Sequence, residues 1–336
     1  KKILLSMMTL LCVISATAEE MPQGYYDRID GTKDDVLKAT LREVIRPHTV
    51  IPYGDGSWEV FYYSDQNEEG YCMDMYCDTW QKFSSPGVKV SGCNIEHSFA
   101  KSWWGGAEFD QYKDCYHLNP SNSTANSARS NYPLGEVPAK HTSYYKESGS
   151  LKIDKIHHDA LNEDFYIWEP KDEYKGDFAR AYFYVATCYG HDLSGNVPDL
   201  KANNKKTYPG WRIDNKDVGS RYAMQNDNYL EFQDWEIDIL LKWHRQDPVS
   251  EKETKRMDAV SDFQHNRNPY IDYPILAEYI WGNKKGTVLK LSDLGLETGL
   301  DDNEKVNVNE VVLIMRDGQL LIQTVHGTYD MMGRRL

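Results

Sequence analysis

The chain has 336 residues, long enough for a sizeable core and one large domain or two, with 52 acidic against 38 basic side chains and a formal net charge of −14 at pH 7. That balance argues against a protein that is basic throughout, as nucleic-acid binders usually are, but leaves room for a local basic groove. Apart from one short N-terminal run, no stretch is apolar enough to cross a membrane.

Lys1 and Lys2 precede an apolar run from Ile3 to Ala16, which ends in Ala16-Thr17-Ala18. A charged start, a short apolar core and small residues at the end are the parts of a secretory signal peptide, here residues 1–18. Bulky Leu11 before Cys12 argues against a lipoprotein site. The remainder is therefore expected to be secreted, periplasmic or at the cell surface, with no membrane insertion after cleavage. Export permits disulfides, and Cys72–Cys77 and Cys93–Cys115 are the expected pairs, leaving Cys188 over. No C-x2-C pair supports a zinc site.

Asp34 and Asp35 open a predicted helix with an apolar stripe of Val36, Leu37, Leu41, Val44 and Ile45. Trp58 to Tyr63 alternates loosely and predicts a strand. Met73 to Trp80 reads as core beside a disulfide.

The segment from Cys93 to Pro133 carries the chemistry. Asn94 to Phe99 predicts a short strand, so Glu96 and His97 should point to opposite faces unless the chain kinks. Cys115 to Leu118 predicts a second strand. Pro120 suits the first turn of a helix running to about Ser130, which sets Asn122, Asn126 and Arg129 on one face. Glu96 and the Asn126 amide are hard oxygen donors for a divalent cation, His97 titrates near neutrality, and Arg129 is a permanent charge that forks onto phosphate. Those are the parts of metal-assisted phosphodiester hydrolysis. Each also has an ordinary use: a Glu-His pair is usually surface, and Asn126 and Arg129 on a polar helix are usually solvated. Trp103 and Trp104 are expected to pack beneath the site rather than stack on bases. Asn122-Ser123-Thr124 matches a glycosylation acceptor, but a helical setting speaks against its use.

Gly135 to Lys155 is polar and predicts a surface loop, and His157-His158 a surface pair. Asp177 to Gly190 predicts a central core helix. Tyr229 to Arg245 predicts another, with Phe232, Trp235, Ile239, Leu240 and Trp243 on its buried face. Ser250 and Glu253 form a capping box ahead of a helix through Asp262. Asn266 to Pro274 turns the chain. Residues 284–307 read as a polar linker. Val311 to Ile314 and Leu320 to Val325 then flank Asp317-Gly318 as a β-hairpin.

The block IEHSFAKSWWGG, followed by D-x-Y-H-L-x-P-x5-N-S-x-R-S-N-Y-P-x-G-E-V, resembles the endonuclease I family of the His-Me finger (ββα-metal) superfamily. YKGDFARAYFYVATCYG and WHRQDPVSEKETKRMDAVSDFQHNRNPYIDYP resemble further blocks, so the likeness spans roughly Gly24 to Gly282. The resemblance implies an α+β, mostly helical domain built around the finger, over residues 19–283, with residues 308–336 as a small C-terminal β appendage. It implies that Glu96 and Asn126 hold a divalent metal, usually Mg²⁺, with Mn²⁺ or Ca²⁺ able to stand in. It implies His97 as general base, Arg129 on the phosphate and Asp114 behind the metal ligands. Lys101 and Asn131 are expected to contact substrate. Tyr116-His117 stands where some members have His-Asn, Cys188 where an arginine is expected, and Met257 and His265 where Asn and Gly are common. The C-terminal segment, ending YDMMGRRL, resembles part of a type IX secretion sorting domain, though it is short for one.

The expected function is a monomeric, exported, Mg²⁺-dependent, sequence-nonspecific endonuclease acting on DNA, with RNA open as a second substrate, leaving 5′-phosphate ends. The competing reading is an exported nucleic-acid-binding or adhesion protein on an inactive scaffold. A metalloprotease would need H-E-x-x-H, which the chain lacks.

Overall fold

The computed structural model describes residues 21–77, 81–143, 145–159, 161–191, 210–214, 217–226, 229–296, 312–316, 319–324 and 327–330. The proposed signal peptide, the acidic part of the linker and the last residues of the tail lie outside the described residues. The chain divides into two units, Lys1–Lys290 and Leu291–Leu336.

In the first unit, α1 (Asp34–Ile45) buries Leu37, Leu41 and Ile45 at i,i+4 spacing, while Val36 faces solvent. Asp34 and Asp35 in its first turn complement the helix dipole. The predicted strand at Trp58 to Tyr63 is instead helix α2 (Asp55–Ser64). Trp58 and Val60 look alternating, but Ser57, Phe61 and Ser64 complete a buried face of helical period.

Strand β1 (Cys93–His97) pairs antiparallel with β2 (Leu118–Asn122), setting Glu96 opposite Asn119 and Ile95 opposite Pro120. The second strand thus starts where the sequence reading ends it, and Pro120 lies in the strand rather than in a helix. A two-stranded ribbon is all edge, so a residue without an N–H is tolerated there. Helix α3 (Ser123–Arg129) begins after the strand, with Asn122 as its cap accepting from the N–H groups of Thr124 and Ala125.

The expected surface loop at Gly135 to Lys155 contains β3 (Lys146–Ser148) and the start of β4 (Leu151–His158), which pairs with β5 (Glu163–Glu169) in an antiparallel meander. Leu151 and Ile153 face the core, a two-residue apolar signal among charges. His157 is exposed and bonds Asp164 at 2.7 Å.

Every residue of α4 (Lys175–Tyr189) is buried. Around it lie α5 (Ser220–Ala223), α6 (Asp234–Gln246), α7 (Glu251–Gln264), α8 (Pro269–Asp272) and α9 (Leu276–Ile280). Helix α6 starts later than predicted and buries Ile237, Leu240, Leu241 and His244, with Trp235 and Ile239 at the margin. The start of α4 approaches the end of α6 so closely that a Cβ at Gly176 would lie 2.1 Å from the Asp247 carbonyl oxygen. Only half of the expected capping box forms on α7: Ser250 Oγ accepts from Glu253 N, but the Glu253 carboxylate turns to Arg180.

Cys72, Cys93, Cys115 and Cys188 keep free thiols, so neither expected disulfide is present. The thiol beside Cys72 is that of Cys93, and Cys115 turns toward the Lys113 carbonyl.

In the second unit, β6 (Val312–Arg316) pairs with β7 (Gln319–Thr324), Arg316 opposite Gln319, as the hairpin reading requires. A third strand, β8 (Gly327–Asp330), adds to β7.

Candidate active site

Strand β1, the residues that follow it and helix α3 line a cleft of about 600 Å³. Glu96, His97, Asn126, Arg129, Lys101 and Asn131 all line it, as do Tyr53, Lys89 and Asn94. Glu96 and His97 reach one cleft from opposite faces of β1 because His97 is the strand's last residue and the cleft wraps that end.

His97 is 4% exposed. Its Nε2 lies 2.9 Å from the Tyr112 carbonyl oxygen. A carbonyl only accepts, so Nε2 carries the hydrogen and Nδ1 keeps its lone pair. Burial, with lesser help from His117 and Lys101, holds the imidazole's pKa well below its ordinary value, partly opposed by the Tyr112 carbonyl. The ring is therefore neutral at neutral pH, as a general base must be.

Glu96 is 6% exposed, and its Oε1 accepts from the Tyr76 hydroxyl at 3.0 Å and from Arg129 Nη1 at 3.2 Å. Burial pushes its pKa up to about 7 despite the Arg129 charge and the Tyr76 bond. A second positive charge at this carboxylate would restore its ionised form.

Asn126 is half-buried on α3, and among the described residues its side-chain amide has no hydrogen-bond partner. One carboxylate and one amide oxygen suit a Mg²⁺-like ion, which keeps most of its waters and takes phosphate oxygens. Among the described residues no group of three or more His, Cys, Asp or Glu forms a metal cage, so the donor set fits a hard, largely hydrated cation rather than zinc.

Arg129 is 1% exposed. Its guanidinium bonds Glu96, the carbonyls of His97 and Ser98, and the Tyr182 hydroxyl, with its Cζ 5.1 Å from the centroid of the Trp168 ring. It fastens α3 to the end of β1, a different task from the expected fork onto phosphate. Asp114 is also buried and accepts from Tyr116 N, Gln264 Nε2 and the hydroxyls of Tyr184 and Tyr189. It braces the turn ahead of β2. Asn131 turns its side chain to Gly219 N and the Asp217 carbonyl. That contact needs glycine, because a Cβ at Gly219 would lie 2.2 Å from the Asn131 carbonyl oxygen. Lys101 is exposed, with Nζ 3.4 Å from the Tyr112 hydroxyl. Trp103 and Trp104 are buried and give their indole N–H groups to the carbonyls of Asn131 and Ala107, as the packing reading expects.

Tyr53 and Lys89, which line the cleft, and Tyr76, which bonds Glu96, escape sequence reasoning, because each lies outside the Cys93–Pro133 segment. The aromatic richness around Trp58 and Tyr76 is visible in the sequence, but nothing there aims it at Glu96 or His97.

The model of the Endonuclease I family matches residues 34–275. A protein of Bacillus subtilis (strain 168) named extracellular ribonuclease is 31% identical over 261 residues, covering 76% of this chain and 78% of that protein. A protein of the same name from Bacillus amyloliquefaciens is 32% identical over 281 residues, covering 81% of this chain and 82% of its own length. With the match running through helices α1 to α8 and across the whole cleft, this chain belongs to the endonuclease I family and is a nucleic-acid-hydrolysing enzyme.

Proposed function

We propose that this enzyme is an exported, divalent-cation-dependent endonuclease of the His-Me finger kind that cleaves RNA and DNA without sequence preference. The observation that carries the reading is the meeting of Glu96, His97 and Asn126 in one cleft, with His97 Nε2 tied to the Tyr112 carbonyl. His97 Nδ1 takes a proton from water, and the oxygen attacks phosphorus in line with the leaving 3′ oxygen. Glu96 and Asn126 would hold the cation, which when bound supplies positive charge to the phosphate and the leaving oxygen. Arg129 keeps Glu96 aimed into the cleft. The attacking oxygen comes from water and not from a ribose 2′-hydroxyl, so the chemistry applies to DNA as well as RNA and leaves a 5′-phosphate. The names of the two Bacillus relatives support RNA as a substrate and an extracellular setting.

The test is degradation of plasmid DNA and of a long RNA by the purified protein with Mg²⁺. EDTA is expected to stop both, and His97→Ala to lower turnover by about 10²–10⁴-fold, the usual worth of a general base. Turnover that survives EDTA, or that His97→Ala leaves unchanged, would sink the assignment.

A further inference from the structure

We propose that Tyr53 is a stacking platform for the nucleobase next to the scissile phosphate, so that the enzyme grips an unstacked base as well as the backbone. This deepens the nuclease reading above and rests on it. Tyr53 lies between α1 and α2, just before Gly54, whose φ of +98° turns the chain into α2. Its ring centroid is 5.8 Å from that of His97, with planes 23° apart, and 4.7 Å from that of Tyr112. Tyr112 and Trp104, the other large rings around the imidazole, are buried, whereas Tyr53 is 38% exposed. Tyr63 is more exposed still but packs on Phe263 and is not part of the cleft wall.

The position has two consequences. A side chain beside the general base meets whatever flanks the phosphate that the base works on. The ring is also held in place by packing on the ring of Tyr112, whose carbonyl fixes His97. A prearranged aromatic loses little side-chain freedom when a base lies on it. Lys89 and Lys101 line the same cleft and can meet neighbouring phosphates. Every base has a π face, so a grip made of one ring and a few cations discriminates little between sequences. It does discriminate between strands: a base must leave its stack to reach the ring, which favours single-stranded RNA, loops and frayed ends over intact duplex.

The experiment uses short single-stranded oligonucleotides with one cleavable phosphodiester, in which the nucleoside on either side is made abasic in turn. For the wild-type enzyme with Mg²⁺, one of the two abasic substrates is expected to raise KM roughly 5- to 150-fold over the intact one, the range of single base–aromatic contacts. Tyr53→Phe should keep that ratio. Tyr53→Ala and Tyr53→Leu should bring it close to one, chiefly by raising KM for the intact substrate. If Tyr53 only props His97, both substitutions will lower kcat equally on intact and abasic substrates and leave the ratio where it was, which overturns the proposal. A wild-type ratio near one on both sides also overturns it. Failure of the wild-type enzyme to cut the intact oligonucleotide at all would remove the nuclease reading and this inference together, and so is told apart from the other outcomes.

Discussion

Arg129 joins four groups that belong to two parts of the chain: a carboxylate and two carbonyls at the end of β1, and a hydroxyl on α4. A buried ion pair gains little net stability over an apolar replacement, but removing one partner leaves the other buried and unmatched, at about 3–5 kcal/mol. Arg129→Ala should therefore lower unfolding free energy by roughly that amount in urea titrations. Arg129→Lys keeps the charge but cannot span the fork, so it should retain part of the stability while still raising the Mg²⁺ concentration needed for half-maximal rate. Equal behaviour of the lysine variant and the wild type would mean that a point charge suffices and that geometry is irrelevant. The sequence made Arg129 conspicuous, since it follows Asn126 by one helical turn. It could not show that the side chain turns inward, because Ser98 and Tyr182 come from elsewhere in the chain. Asp114 is similar: its place beside Cys115 and Tyr116 is readable, while the tyrosines of α4 that bind it are about seventy residues on.

At the scale of elements, the ribbon and helix were legible in kind but shifted in register. Pro120 suggested a helix start, and the two-stranded ribbon absorbed it, passing the cap to Asn122. That cap supports a helix of only seven residues, which carries both Asn126 and Arg129. Asn122→Ala should cost about 1 kcal/mol in stability and lower kcat/KM by more than so small a loss would suggest, because Asn126 loses its fixed position. A kcat/KM equal to wild type would show that α3 is held by packing alone. A second long-range tie was invisible in the sequence. Glu231, buried and with φ of +67°, accepts from Lys38 on α1, from His191 after α4 and from Trp211. Burial raises the pKa of its carboxyl, but Lys38 and His191 more than offset this and leave it below 4.5. The folded-state value is thus lower than the unfolded one, so the carboxylate's contribution is complete above the ordinary carboxylate range and is lost as pH falls through the folded value. Glu231→Gln strands Lys38 in the core and should cost roughly 3–5 kcal/mol at neutral pH. The gap between the Tm curves of variant and wild type should narrow on acidification below the ordinary value; parallel curves would remove Glu231 from the acid response.

At the scale of the whole molecule, a chain with net charge −14 must attract a polyanion through a cleft that bears Lys89 and Lys101. Which field wins depends on screening. At about 0.01 M salt the Debye length is ~30 Å, and the net negative charge of the chain is felt by the substrate. At about 0.1 M it is ~10 Å, and only charges near the cleft are felt. Further salt weakens the lysine–phosphate contacts themselves, with a slope of about −0.7 in log–log form for each phosphate neutralised on a single strand. The dependence of kcat/KM on NaCl, at fixed saturating Mg²⁺, should therefore rise, pass a maximum and then fall. Lys89→Ala and Lys101→Ala should each make the falling limb shallower by about 0.7 in that slope. Lys255→Ala, which removes an exposed lysine paired with Glu251 on α7, should leave that limb unchanged. A curve that only falls from the lowest salt would show that the overall charge is never felt, and equal slopes for all three variants would show that the cleft lysines do not meet phosphate.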